Sequence, residues 1–189
     1  MTKRKKLLLI ILPIAAVVLV GIVVLIVALA PKGLDDYVKW MEKSEKEVVS
    51  VRSDIEVTDS GVSVYGYGKT LEFAADGSVT ATVSETKLNS AFQTETKETT
   101  ETLTEADRES LLDFSLEKEG VKEYSYDDGV LTVVVGKDAL KSVLGWESVE
   151  TENDVRLAFR FESKKLTETS CSFQTTTGKT VTVRVVYGY

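Results

Sequence analysis

The chain has 189 residues, of which 43% are hydrophobic and 28% are charged, with one Cys and no His. The absence of His excludes Ser-His-Asp and Cys-His catalytic arrangements and His-ligated zinc sites. The net charge is −7, from 23 Lys and Arg against 30 Asp and Glu residues. An acidic chain of this kind disfavours nucleic acid as a partner, because nucleic acid requires a basic face.

An apolar stretch near the N-terminus predicts a membrane span. From Leu7 to Ala30 the sequence has no charged or strongly polar side chain. A helix of that length is about 36 Å long, enough to cross roughly 30 Å of hydrocarbon. Pro13 and Gly21 are both tolerated in membrane helices. The stretch exceeds the ~7–15 apolar residues of a signal peptide, so we expect a transmembrane helix over 7–30.

Basic residues directly before this stretch predict its orientation. They are Lys3, Arg4, Lys5 and Lys6. By the positive-inside rule, residues 1–6 form a cytoplasmic tail and the rest of the chain lies outside the cell. The sequence thus predicts a signal-anchored, single-pass protein of the cell membrane, in contact with the lipid bilayer through residues 7–30. Cleavage after Ala30 is the alternative, which Pro31 disfavours.

The remainder of the chain predicts a helix followed mainly by strands. Residues 31–50 form a juxtamembrane segment in which apolar residues at helical spacing predict an amphipathic helix from about 34 to 50. An extracytoplasmic domain over 51–189 follows, and its alternating runs and Asp-Gly pairs indicate antiparallel hairpins. Further helices are expected from a start signal at Thr104 through residues 111–116 to Gly120, and over 138–144 before Gly145.

Two parts of this domain have distinctive patterns. The Thr-, Glu- and Lys-rich stretch 85–105 fits either a disordered stalk or a long solvent-facing strand, and we favour the strand. Residues 155–189 alternate apolar and polar side chains between short turns, which predicts a three-strand antiparallel meander. Strands joined by short turns, with helices at the start and in the middle, indicate an α+β fold.

Few side chains suggest chemistry. The single Cys171 lies in a predicted strand, and without His nearby we expect an inert, partly buried thiol. Adjacent carboxylates such as Asp127 and Asp128 fit a turn better than a catalytic pair. Arg156 and Arg160 lie on the same face of one strand and either bind an anion or a cell-surface polymer, or pair with Glu on neighbouring strands. No catalytic, cofactor-binding or metal-binding residue is predicted, and no cofactor.

Two passages resemble known envelope proteins. "EGVKEYSYDDGVLTVVVGKDALKSVLG" (119–145) resembles a region of small YehR-like envelope lipoproteins of Gram-positive bacteria. "VRLAFRFESKKLTETSCSFQTTTGKTVTVRVVYGY" (155–189) is similar to the closing strands of the wider LolA/LppX-like lipoprotein group. In those proteins a curved antiparallel sheet wraps helices and sometimes encloses a lipid-binding cavity. They usually carry a lipobox Cys, which this chain lacks, and no functional residue carries over from the resemblance.

The sequence and the resemblance together predict an N-terminal transmembrane helix followed by an exported α+β domain, with a curved antiparallel sheet packed on two or three helices. We expect a non-enzymatic binding or interaction module at the bacterial cell envelope, whose partner is an envelope protein, a polymer or a lipid. The alternative is a LolA/LppX-like half-barrel that binds a lipid or another hydrophobic ligand. An enzyme is disfavoured because no catalytic constellation is present.

Overall fold

A computed structural model describes residues 33–91, 93–103, 116, 118–140 and 151–189. The helix and strands in these residues are α1 Leu34–Glu47, β1 Ser50–Asp59, β2 Val62–Phe73, β3 Val79–Leu88, β4 Thr94–Leu103, β5 Val121–Asp127, β6 Val130–Val135, β7 Val155–Glu162, β8 Lys165–Gln174 and β9 Thr180–Gly188. All nine strands join one sheet in the order β4-β3-β2-β1-β9-β8-β7-β6-β5. Every neighbouring pair is antiparallel.

The predicted α+β fold with two or three helices is wrong. The described part of the chain is a nine-strand sheet with the single α-helix α1. The helix expected over 138–144 lies mainly outside the described residues: Lys137–Ala139 form a 3-10 turn, Leu140 has helical dihedral angles, and 141–150 are not described. Of the helix expected to run to Gly120, only Leu116 and Lys118–Gly120 are described, and Lys118–Gly120 form a 3-10 turn. The sheet dominates because Val- and Thr-rich alternating segments, which suit a pleated surface, occupy most of these residues.

The prediction of a single-pass membrane protein also needs correction. No helix in the described ranges is both long and apolar enough to cross a membrane. Helix α1 has 14 residues, so it is only about 21 Å long, and charged residues occur throughout it. The transmembrane class and the cell-membrane location are therefore not supported. The residues named for the span and its topology lie outside the described part: Leu7, Pro13, Gly21, Ala30, Lys3, Arg4, Lys5 and Lys6.

Several local predictions are confirmed. The Asp-Gly pairs at 76–77 and 128–129 turn the chain between β2 and β3 and between β5 and β6. Gly77 and Gly129 have φ values of +86° and +78°, which glycine adopts without strain. The Thr-rich stretch 85–105 is confirmed as extended structure but is not one strand: 85–88 end β3, and the chain turns before 94–103 form the edge strand β4. Strands β7, β8 and β9 form the expected meander.

The register gives the sheet two unlike faces. One, called the inner face, is apolar and carries α1: Val48, just after the helix, packs with Val51 and Leu71. The other, called the outer face, carries mainly Thr, Ser and charged side chains, including hydroxyl pairs across neighbouring strands. The buried side chains of the inner face are Val51, Leu71, Val79, Ala81, Leu131, Val133, Val135, Val155, Leu157, Phe159, Phe161, Leu166, Cys171, Phe173, Val181 and Val183.

One buried polar group fastens α1 to the sheet. Ser44, 1% exposed, donates its hydroxyl to the Trp40 carbonyl at 2.6 Å and accepts a hydrogen bond from the Leu166 amide at 3.0 Å. The Leu166 carbonyl accepts from the Tyr189 hydroxyl at 2.6 Å. Helix, β8 and the end of the chain therefore meet at one small hydrogen-bonded hub.

Candidate binding surfaces

The one thiol is placed where it cannot act as a nucleophile at neutral pH. Cys171 lies on the inner face, opposite Leu157 and Val183 on the neighbouring strands. Burial raises its pKa to about 12, so the thiolate that would attack a substrate is scarce. The sequence predicted a partly buried thiol, and the structure buries Cys171; its inertness stays a prediction.

The carboxyl groups whose pKa departs from the ordinary value lie at the protein surface, and in each of them the pKa is lowered. The Lys122 ammonium, 2.9 Å from Asp154, lowers the pKa of that carboxyl, and Lys87 does the same for Glu85. A carboxyl acting as general acid needs its pKa raised, which is the opposite direction. In the described ranges, no three Cys, Asp or Glu side chains are grouped so that they could hold a metal ion.

An aromatic cluster lies where α1 meets strands β5 and β7. The Tyr37 ring is 4.8 Å from Tyr126 and 6.2 Å from Phe161, measured between ring centroids. The Trp40 ring meets Phe161 edge-on, with 5.5 Å between ring centroids. The Lys164 ammonium lies 5.6 Å from the centre of the Trp40 ring. Tyr37 and Phe161 are buried, so they form a fixed base beneath the rings that reach the surface.

At the surface of this cluster and beside it lies an aromatic patch, defined as the half-buried Trp40 and the exposed Tyr124, Tyr126 and Lys164. Tyr124 is 48% exposed and Tyr126 is 38% exposed. Both project from β5 on the side of the inner face, since they pair with the buried Val133 and Leu131. Exposed Tyr and Trp rings on a fixed base are the composition of protein-binding hot spots. Sequence reasoning placed these tyrosines in a strand but assigned them no role.

The patch borders an open edge of the sheet. Strand β5 is last in the strand order, and within the described residues only β6 pairs with it. A bulge interrupts the register at Lys122, after which Glu123–Asp127 pair regularly with β6. The opposite edge, β4, has the sequence TETKETTETL. Both edges carry charged residues, which disfavour pairing with a second copy of the same edge, and β5 is the one with aromatic side chains.

Arginines are concentrated on the other side of the sheet. All four that the structure describes, Arg52, Arg156, Arg160 and Arg184, lie on the outer face. Arg184 binds Glu168 at 2.7 Å and Arg52 binds Asp54 at 3.0 Å. Register places Arg160 opposite Glu168, but that carboxylate is taken by Arg184. The Glu pairing expected of Arg156 and Arg160 is therefore not found among the described side chains.

Comparisons with known proteins identify no family. No family model and no curated protein matches the chain. A redesigned β-barrel shares 11% identity over 73% of this chain and 90% of its own, with a TM-score of 0.23. The dehydratase domain from the CurF module of curacin polyketide synthase shares 10% over 79% and 81%, with a TM-score of 0.21. A trans-AT polyketide synthase dehydratase domain from Brevibacillus brevis shares 11% over 75% and 75%, with a TM-score of 0.20.

These similarities are too low to carry an argument about fold or function. The resemblance to YehR-like and LolA/LppX-like lipoproteins stays a prediction. What the structure supplies is an open, curved antiparallel sheet, and this architecture is compatible with a binding module.

Proposed function

We propose that this protein is a non-enzymatic binding module that takes up an extended polypeptide segment against strand β5. The observation that carries the proposal is the aromatic patch, which lies beside an edge strand paired on one side within the described residues. An extended segment added to such an edge gains main-chain hydrogen bonds, while its alternate side chains meet the surface beside the strand.

The side chains around β5 favour a basic segment. Glu123, Asp127 and Asp128 are exposed, and the neighbouring Lys122 is bound to Asp154. Glu123 and Asp127 lie on the outer-face side of β5 and the tyrosines on the inner-face side, because side chains alternate along a strand. Alternate Lys or Arg side chains of the segment would therefore meet the carboxylates, and the aliphatic side chains between them would meet the rings. The proposed partner is therefore a strand-forming peptide with alternating Lys or Arg and aliphatic residues.

Peptide binding in solution tests the proposal. The probes are three labelled peptides: one alternating Lys and Val, one with Glu in place of Lys, and one with alternate backbone amides methylated. We expect the full-length chain to bind the first peptide at least about tenfold more tightly than either of the others, a difference of about 1.4 kcal/mol. Fluorescence anisotropy at low and high salt measures all three.

A matched pair of variants distinguishes binding at the aromatic patch from nonspecific hydrophobic binding. Changing Tyr124→Ser together with Tyr126→Ser removes the exposed rings, and the affinity for the Lys-Val peptide should fall about tenfold or more. Because Tyr126 contacts the buried Tyr37, urea unfolding of the variant checks that it keeps its fold. The control is Val62→Ser, which changes a 53% exposed apolar side chain on β2 and should leave binding unaltered. Equal binding of the Glu peptide, or equal loss in the control, contradicts the proposal.

A second candidate is uptake of a lipid or another hydrophobic ligand, as the LolA/LppX resemblance implies. The observation in its favour is that Ile55, Val57 and Val83, all on the inner face, are only half-buried. Apolar side chains of this kind can line a ligand cavity. Native mass spectrometry of the purified chain distinguishes the two candidates, since a stoichiometric co-purifying lipid favours this one.

A further inference from the structure

Three arginines of the outer face surround a floor of small side chains. Arg156 and Arg160 lie on β7, with Ala158 between them on the same face. Ala158 pairs with Ser170 on β8, and Ser170 pairs in turn with Arg184 on β9. The long arginine side chains therefore stand around a shallow area formed by Ala158 and Ser170.

Sheet geometry puts these arginines within reach of one small group. Residues four apart on a strand are separated by about 13 Å, so Ala158 lies about 6.6 Å from both Arg156 and Arg160 along β7. Strands β7 and β9 are two apart in the sheet and are therefore separated by about 10 Å. This is the distance from Ala158 to the backbone of Arg184. An extended arginine side chain spans distances of this order, so the guanidinium groups of Arg156 and Arg160 can converge above Ala158, while Arg184 is held by Glu168 at the border of the area.

The charge on this area is neutralised only in part, by Glu168, which lies opposite Arg160. Arg184 is bound to Glu168, whereas Arg156 and Arg160 are exposed and make no ion pair with another side chain of the described part. Arg156 faces Val134 on β6, which offers no charge. Two guanidinium groups are thus free on an otherwise acidic chain, beside the hydroxyls of Ser170 and Ser172.

We infer that this area, called the arginine site, binds the phosphate or sulfate groups of an anionic polysaccharide. A guanidinium presents its N–H groups as a planar fork that matches the oxygens of phosphate and sulfate. The serine hydroxyls donate or accept hydrogen bonds and leave the surface flat. Thr132 and Thr182 continue the hydroxyl surface on either side, where sugar hydroxyls can be matched. The arginine site is on the opposite face from the aromatic patch and does not depend on the function proposed for it.

Binding of a sulfated polymer to the full-length chain tests the inference. The probes are dextran sulfate, neutral dextran and inorganic sulfate, titrated by calorimetry at 50 and 300 mM salt. We expect dextran sulfate to bind and neutral dextran not to bind, with affinity falling at high salt because exposed charges are screened. Inorganic sulfate should compete only at concentrations at least about a hundredfold higher.

Exposed arginines allow variants that keep the fold. Changing Arg156→Gln together with Arg160→Gln should weaken dextran sulfate binding about tenfold or more. The control is Arg52→Gln, an outer-face arginine bound to Asp54, which should change affinity less than about twofold. The Tyr124→Ser, Tyr126→Ser variant should bind dextran sulfate like the wild type. Absence of binding, equal binding of neutral dextran, equally tight binding of inorganic sulfate, or an equal loss in Arg52→Gln overturns the inference.

Discussion

Replacing Ser44 by Ala is the sharpest test of how α1 is held on the sheet. The Ser44 hydroxyl accepts a hydrogen bond from the Leu166 amide at 3.0 Å, and both residues are about 1% exposed. In the variant, that amide loses its partner in a place that water does not reach. The hydroxyl's other bond, to the Trp40 carbonyl, spans four residues of the same helix and contributes little to stability.

The expected cost follows from these contacts. A buried donor left without a partner costs about 1–3 kcal/mol. Alanine has a higher helix propensity than serine, which offsets roughly 0.5 kcal/mol of this loss in the free energy of unfolding. We therefore expect Ser44→Ala to lower the free energy of unfolding by about 1–2 kcal/mol. For a chain of this size the melting temperature should fall by roughly 2–8 °C.

Urea unfolding of the full-length chain, followed by far-UV circular dichroism, measures this difference. The slope of the free energy of unfolding against urea concentration should be unchanged if the substitution affects only the hydrogen-bonded hub of the native state. Ser172→Ala serves as the control, because its exposed hydroxyl meets Thr182 at 3.3 Å and its loss should cost less than about 0.5 kcal/mol. If Ser44→Ala also stays within 0.5 kcal/mol of the wild type, or if the control costs as much, the hub is not what holds α1.

The buried Cys171 and the partly buried Tyr187 give further predictions. Because burial raises the pKa of Cys171 to about 12, the folded thiol should react with a disulfide reagent at pH 8 on the order of a thousandfold more slowly than in urea; rapid stoichiometric labelling would show that it is accessible. Burial likewise raises the pKa of Tyr187 to about 12. The unfolded phenol ionises near pH 10, so stability is lost as pH rises from 10 to 12, by roughly 2 kcal/mol from this residue. Tyr187→Phe should flatten that loss in urea titrations, and an unchanged slope would contradict the buried placement.

Local features of the fold were predictable because neighbouring residues determine them. The Asp-Gly pairs at 76–77 and 128–129 supply the positive φ that a tight hairpin needs. The Thr-rich composition of 85–105 favoured a strand over a disordered stalk, since Thr suits a pleated surface, but it did not locate the turn between β3 and β4. The helices expected after residue 103 lie mostly outside the described residues and stay predictions.

Long-range placement was not predictable. Strand β1 pairs with β9, so that Ser50 lies opposite Gly188, and no local pattern relates residues so far apart in the chain. The same holds for the candidate binding surfaces. Tyr124 and Tyr126 are exposed because β5 is an edge strand, and an edge is a property of the sheet. Arg160 lacks the expected Glu partner because Glu168, the residue opposite it, is bound by Arg184 from another strand.

The sequence by itself determined composition, turns, strand periodicity and the absence of His chemistry, all of which depend on residue identity and near-neighbour spacing. The tertiary structure decided the number of described helices, the order of the strands, and which face and edge each side chain occupies. The physical reason is that hydrogen bonds between distant strands and burial of α1 on the inner face are cooperative. Their free energy depends on the whole set of pairings, and short stretches of sequence do not contain that information.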